Sequence, residues 1–136
     1  MTQEVKHIAL HWQRGMRFRG GAPDGPQVVI DADNATAPGP MLTLLLAAAS
    51  CSGSDVVLIL EKMRVALRAL RIEVHGTRRE EVPRRYVAIR FEFHLAGDGL
   101  DEVKARRAID LSLEKYCSVV ASLAPDIAIS YGLTLA

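Results

Sequence analysis

Aromatic side chains are scarce in this chain: one Trp, three Tyr and three Phe make up 5% of 136 residues. The core must therefore be aliphatic, drawn from a hydrophobic fraction of 49% that stands at the upper end for a soluble domain. An excess of one charge is also lacking. Lys plus Arg number 17 against 16 Asp plus Glu, a formal net charge of +1. Neither a nucleic acid nor an anionic membrane has an electrostatic reason to bind such a chain. Cysteine is limited to Cys51 and Cys117, with no C-x-x-C spacing and no histidine close in sequence to either, which argues against metal binding. Met1 to His7 contains no apolar signal-peptide core, so the expectation is a cytoplasmic protein. In that reducing compartment a disulfide is more often catalytic or redox-sensing than structural.

Charge is absent altogether from Asn34 through Ser54. Pro38-Gly39-Pro40 interrupts this stretch and Ser50-Cys51-Ser52-Gly53-Ser54 dilutes it, leaving an apolar part too short to cross a bilayer. A buried helix is expected instead. The length suits one domain, residues 1–136, able to bury roughly two-thirds of its unfolded surface. Lys6, Ile8, Leu10 and Trp12 alternate as in a strand, Arg14-Gly15 reads as a hairpin turn, and Met16–Arg19 and Gln27–Ala32 read as two further strands. Pro40 opens a helix expected to run to about Leu70, because Val56, Leu60, Met63, Leu67 and Leu70 recur three or four residues apart. Gly53 is a potential weak point within it. Ile72 and Val74 lie on one strand, and Val87, Ile89, Phe91, Phe93 and Leu95 on another with one buried face. Asp98 to Glu102 offers a cap for a second amphipathic helix, with its stripe at Ile109, Leu113, Tyr116/Cys117 and Val120 and its end at Pro125. Ile127 to Leu133 is a last strand. The predicted class is α+β, in the order β-β-β-α-β-β-α-β.

A thiol reacts as thiolate, and an apolar environment opposes that ionisation. Both cysteines fall on the predicted core-facing sides of helices, so a cation and a second thiol near Cys51 are what chemistry there requires. On spacing alone an inert core thiol, the commonest role of a free cysteine, is the stronger reading. The four histidines, His7, His11, His75 and His94, read as solvated strand residues, and Ser52 and Ser54 have no evident base partner.

The run Gly39-Pro40-Met41 through Ala49-Ser50-Cys51, continuing to Lys62-Met63-Arg64, resembles the central-helix motif of the OsmC/Ohr family. Arg106-Arg107 through Lys115-Tyr116-Cys117-Ser118-Val119 resembles its second cysteine motif, and Gly15-Met16-Arg17-Phe18 is similar to its N-terminal hairpin. The similarity is greatest to the OsmC-like subgroup. It implies antiparallel sheets around a long central helix and an intertwined homodimer with active sites between subunits. It also implies a thiol peroxidase without a cofactor, acting on organic hydroperoxides. Cys51 is then the nucleophile and Cys117 the resolving thiol, with an external dithiol as reductant. Arg17, with Arg19 as the alternative, is the cation that holds the thiolate. The family commonly carries a glutamate nine or ten residues before its first cysteine, to orient that arginine. Leu42 and Met41 stand there, and Asp55 takes over only if the helix continues past Gly53. Two other uses of the fold remain open: a non-catalytic dimer binding an apolar small molecule, and a redox sensor signalling through the disulfide.

Overall fold

The structure, a computed structural model, describes residues 2–136. By their contacts these fall into two compact units, one ending at Leu44 and one running from Leu45 to Ala136. The N-terminal unit holds an antiparallel sheet of β1 (Ala9–Arg14), β2 (Arg17–Gly21) and β3 (Val28–Asp31), in that order. The β1–β2 hairpin turns at Gly15, whose φ of 51° is the left-handed conformation that glycine adopts without a steric penalty. β1 begins later than the alternation from Lys6 suggested, and β2 begins at Arg17 rather than Met16.

Helix α1 spans Pro40–Lys62. It ends well short of Leu70, although Met63, Leu67 and Leu70 keep helical spacing. Arg64 adopts a φ of 62°; its N–H donates to the Glu61 carbonyl and the Val65 N–H donates to the Leu60 carbonyl, each at 3.0 Å. These two bonds form a Schellman cap, with Leu60 and Val65 both buried at it. Glycine normally marks such a stop; an arginine there left no signal. The residues beyond it, read as helix, open the long strand β4 (Ala66–Arg78).

Gly53 does not weaken α1, which continues through it. A Cβ at this buried position would stand 3.2 Å from Ile72 Cδ1 and 3.8 Å from Leu70 Cδ2, so the missing side chain is what lets β4 approach the helix. By length and composition alone α1 passes for a membrane span, a test that core helices also pass. Its middle, however, is occupied by packing against β4 and by polar residues bonded to another part of the chain.

The C-terminal unit contains the sheet β4-β5-β6, with β5 at Tyr86–Asp98 and β6 at Ala128–Leu135. β5 pairs antiparallel with β4, but β6 runs parallel to β5, a departure from the antiparallel sheets expected. The helical segment between β5 and β6 carries the chain back to the starting edge, as a parallel pair requires. The alternation read in β5 holds: Ile89, Phe91, Phe93 and Leu95 are buried. With Val56, Leu60, Ala105, Ala108 and Ile109 they form the core, each large side chain contributing about 1.5–3 kcal/mol by leaving water.

The crossover is not the single helix that the stripe from Ile109 to Val120 predicted. It comprises α2 (Glu102–Leu111), one π turn (Ser112–Tyr116), an extended Cys117 and the short α3 (Ser118–Ala121). Its start is as expected: the Asp101 side chain accepts from the Lys104 N–H at 2.8 Å.

Candidate active site

Cys51 sits half-buried on α1, and Cys117 is buried at 3% exposure. The two side chains are neighbours, close enough for a hydrogen bond between the thiols, and both are free. Burial above all pushes Cys117 up to about 11; the hydrogen bond to Cys51 and the charge of a Cys51 thiolate add to this, while the Val120 and Val119 N–H groups pull it partly back. Cys117 therefore keeps its proton at neutral pH.

The break in the crossover is what brings the sulfurs together. At Ser112 the helix widens: the Cys117 N–H donates to the Ser112 carbonyl, five residues back, at 2.7 Å. Cys117 then turns extended, with φ −71° and ψ 101°, and heads α3. The Ser112 side chain is fully buried. Its hydroxyl donates to Asp55 Oδ2 at 2.9 Å and lies 2.8 Å from the Ser52 hydroxyl, so it is tied to α1 at the residue after Cys51 and one turn further on. Sequence reasoning set Ser52 aside for want of a base and passed over Ser112, whose partners lie on a different helix. It considered Asp55 as a carboxylate for an arginine. The helix does continue past Gly53, but the hydrogen bond of Asp55 is to Ser112.

Arg17 belongs to the N-terminal unit. Half-buried at the start of β2, it donates from Nε to Gln13 Oε1 at 2.9 Å and from Nη1 to Thr36 Oγ1 at 2.7 Å. Thr36 in turn donates its hydroxyl to Asp31 Oδ2 at 2.8 Å. Asp31 is 5% exposed, and its carboxylate also accepts the Thr36 N–H at 3.0 Å and the Asp33 N–H at 2.9 Å. These bonds, the Thr36 N–H first, hold its carboxyl below the usual range. A carboxylate thus stands behind Arg17 through one hydroxyl, although α1 has no acidic residue in its first turn. Arg19 is exposed, without a hydrogen bond or ion pair among the described residues. The guanidinium that the structure holds in place is that of Arg17.

Among the described residues no three His, Cys, Asp or Glu side chains gather as metal ligands would. A groove of about 710 Å³ runs along α1 and β4, lined by Leu46, Ala49, Gly53, Val57, Leu58 and Ile72 among others. Cys51 is not part of its wall.

Residues 32–132 match the family model described as OsmC-like protein. Over 123 residues the chain is 38% identical to protein YhfA of Escherichia coli strain K12, covering 90% of this chain and 92% of that protein. A crystal structure of a protein from Aquifex aeolicus VF5 superposes with a TM-score of 0.85 at 32% identity, over 98% of this chain and 99% of that one. The organic hydroperoxide resistance protein OhrB of Bacillus subtilis shares the fold at a TM-score of 0.63 and 14% identity, over 96% and 98% of the two chains.

Proposed function

Because this chain belongs to the OsmC-like family, we propose that it is a thiol peroxidase reducing organic hydroperoxides, with Cys51 as nucleophile, Cys117 as resolving thiol and Arg17 as the activating cation. A role in peroxide or stress response is what this membership suggests, and a hydroperoxide function is carried in the name of the fold relative OhrB. The observation that carries the finer reading is the contact between the two free thiols, one half-buried and one deeply buried and protonated.

The Cys51 thiolate attacks one oxygen of the hydroperoxide; the O–O bond breaks, the alcohol leaves with a proton, and Cys51 becomes a sulfenic acid. The Cys117 thiol then displaces the hydroxyl as water, forming a Cys51–Cys117 disulfide. An external dithiol returns both thiols and leaves oxidised. Arg17, held at Nε and Nη1 by Gln13 and Thr36, makes no hydrogen bond from Nη2 among the described residues, and that nitrogen polarises the peroxide.

The protein acts as a cytoplasmic homodimer in which residues 1–136 make one OsmC-like domain. Support for the dimer comes from α1, which leaves Leu42, Leu44, Leu46, Val57 and Leu58 exposed at 36% or more. Apolar surface of this extent on one helix calls for a cover, and a second copy supplies one. The same surface, with the groove beside it, favours one other reading: a dimer that binds an apolar small molecule and does no chemistry.

Titration of free thiols after one equivalent of cumene hydroperoxide separates the two. The peroxidase loses both thiols rapidly, and Cys51→Ser abolishes peroxide consumption. Thiols that react no faster than free cysteine, or full activity in Cys51→Ser, overturn the proposal.

A further inference from the structure

We propose that Ser112, anchored by Ser52 and Asp55, is a positioning residue that sets where Cys117 stands against Cys51 and thereby governs how fast the sulfenic acid is resolved. This rests on the peroxidase reading for its chemistry, but the geometry stands apart from it. Ser112 links the two cysteines through both its ends. Its carbonyl accepts the Cys117 N–H at 2.7 Å, which closes the π turn. Its hydroxyl reaches α1 at Ser52, next in sequence to Cys51, and at Asp55. From the Cys117 backbone to that of Cys51 there are only two hydrogen bonds and two residues, Ser112 and Ser52.

Two features argue that this knot does more than satisfy the core. Ser52 and Ser112 are both at 0% exposure, in a C-terminal unit whose other buried side chains are apolar or the Cys117 thiol. Apolar residues of similar size would fill the same space without three polar side chains needing to be bonded there. The π turn is likewise a poor way to continue a helix, and such turns appear mostly as single interruptions, often at functional sites. Here the interruption starts at the residue that is tied down, and it ends at Cys117.

The kinetic consequence follows from competition. Cys51 sulfenic acid either meets the Cys117 thiol, giving the disulfide and water, or meets a second hydroperoxide, giving sulfinic acid and an alcohol. A small misplacement of the resolving sulfur slows only the first of these. Loosening Ser112 therefore diverts the protein towards over-oxidation.

The test uses the full chain and compares wild type with Ser112→Ala, Asp55→Ala and Asp55→Asn. Mass spectrometry after cumene hydroperoxide gives the ratio of Cys51 sulfinic acid to disulfide. Equilibration in glutathione redox buffer, without peroxide, gives the intrinsic tendency of the two sulfurs to pair. Ser112→Ala is expected to raise the first ratio about tenfold and lower the effective concentration of the pair about tenfold. Asp55→Ala behaves likewise, and carries the test if Ser112→Ala does not fold. Asp55→Asn, which still accepts the Ser112 hydrogen bond, restores most of the loss. Ratios within twofold of wild type in both alanine variants overturn the proposal, as does an Asp55→Asn no better than Asp55→Ala. A wild type that pairs its thiols in glutathione buffer but ignores peroxide removes the peroxidase reading, while a shifted equilibrium in Ser112→Ala still upholds the positioning role.

Discussion

The Asp31 carboxylate and the Ser112 hydroxyl are both buried and both hydrogen-bonded, but the chain reaches them by different routes. The Asp31 carboxylate is bonded within five residues, to Asp33 and Thr36, and the same loop closes again where the Asn34 side chain accepts the Gly39 N–H at 2.7 Å. The partners of Ser112 lie 60 and 57 positions away on another helix. The first arrangement can form with its own segment, as Asx-type side chains do. The second exists only once α1 and the crossover have docked. The loop that receives Arg17 is thus shaped by local chain chemistry, whereas the thiol pair is oriented by tertiary packing.

Three perturbations probe this contrast. Arg17→Ala should have the largest effect, lowering the rate of the first thiol oxidation about 10²–10³-fold, the usual loss when a charge-stabilising donor is removed. Arg17→Lys should recover only part of it, because an ammonium cannot keep both Gln13 and Thr36 while facing a substrate. Stopped-flow measurement of thiol loss checks both, and an unchanged rate removes Arg17 from the mechanism. Next is Asp31→Ala, which takes the acceptor from the Thr36 and Asp33 N–H groups and should lower the denaturant unfolding midpoint. It should leave the glutathione equilibrium of the cysteines where it is in wild type. A shift there would show that the two arrangements are not independent. The smallest effect is one of pH. The pKa of Cys117 is raised in the folded state, from an ordinary 9.0 to about 11. Its contribution to stability is therefore complete below pH 9 and is lost as pH rises through 11. Unfolding midpoints followed across that window should fall in wild type and stay flatter in Cys117→Ala.

The same contrast explains what could be read from the chain. The hairpin at Gly15, the alternation of β5 and the Asp101 cap depend on near neighbours, and they stand where expected. The two cysteines were singled out by their helical faces and by family resemblance. The end of α1 was missed because an arginine, not a glycine, takes the left-handed cap position. The break in the second helix was missed because Ile109, Leu113 and Tyr116/Cys117 keep an apolar stripe straight through it; only a bond to α1 reveals why the turn widens. Ser52 and Ser112 are small polar residues without local partners, and nothing in their spacing marks them. The parallel pairing of β6 is likewise set by where the crossover delivers the chain, not by the pattern within the strand.

That crossover has one more consequence. It is the segment that threads β6 beside β5, and Cys117 lies within it between the π turn and α3. A covalent bond from there to α1 would fasten the thread and exclude much of the unfolded ensemble. Reduction would release it. Each catalytic cycle would then tighten and slacken the same part of the scaffold, so the working protein would alternate between a stapled and an unstapled form of one fold.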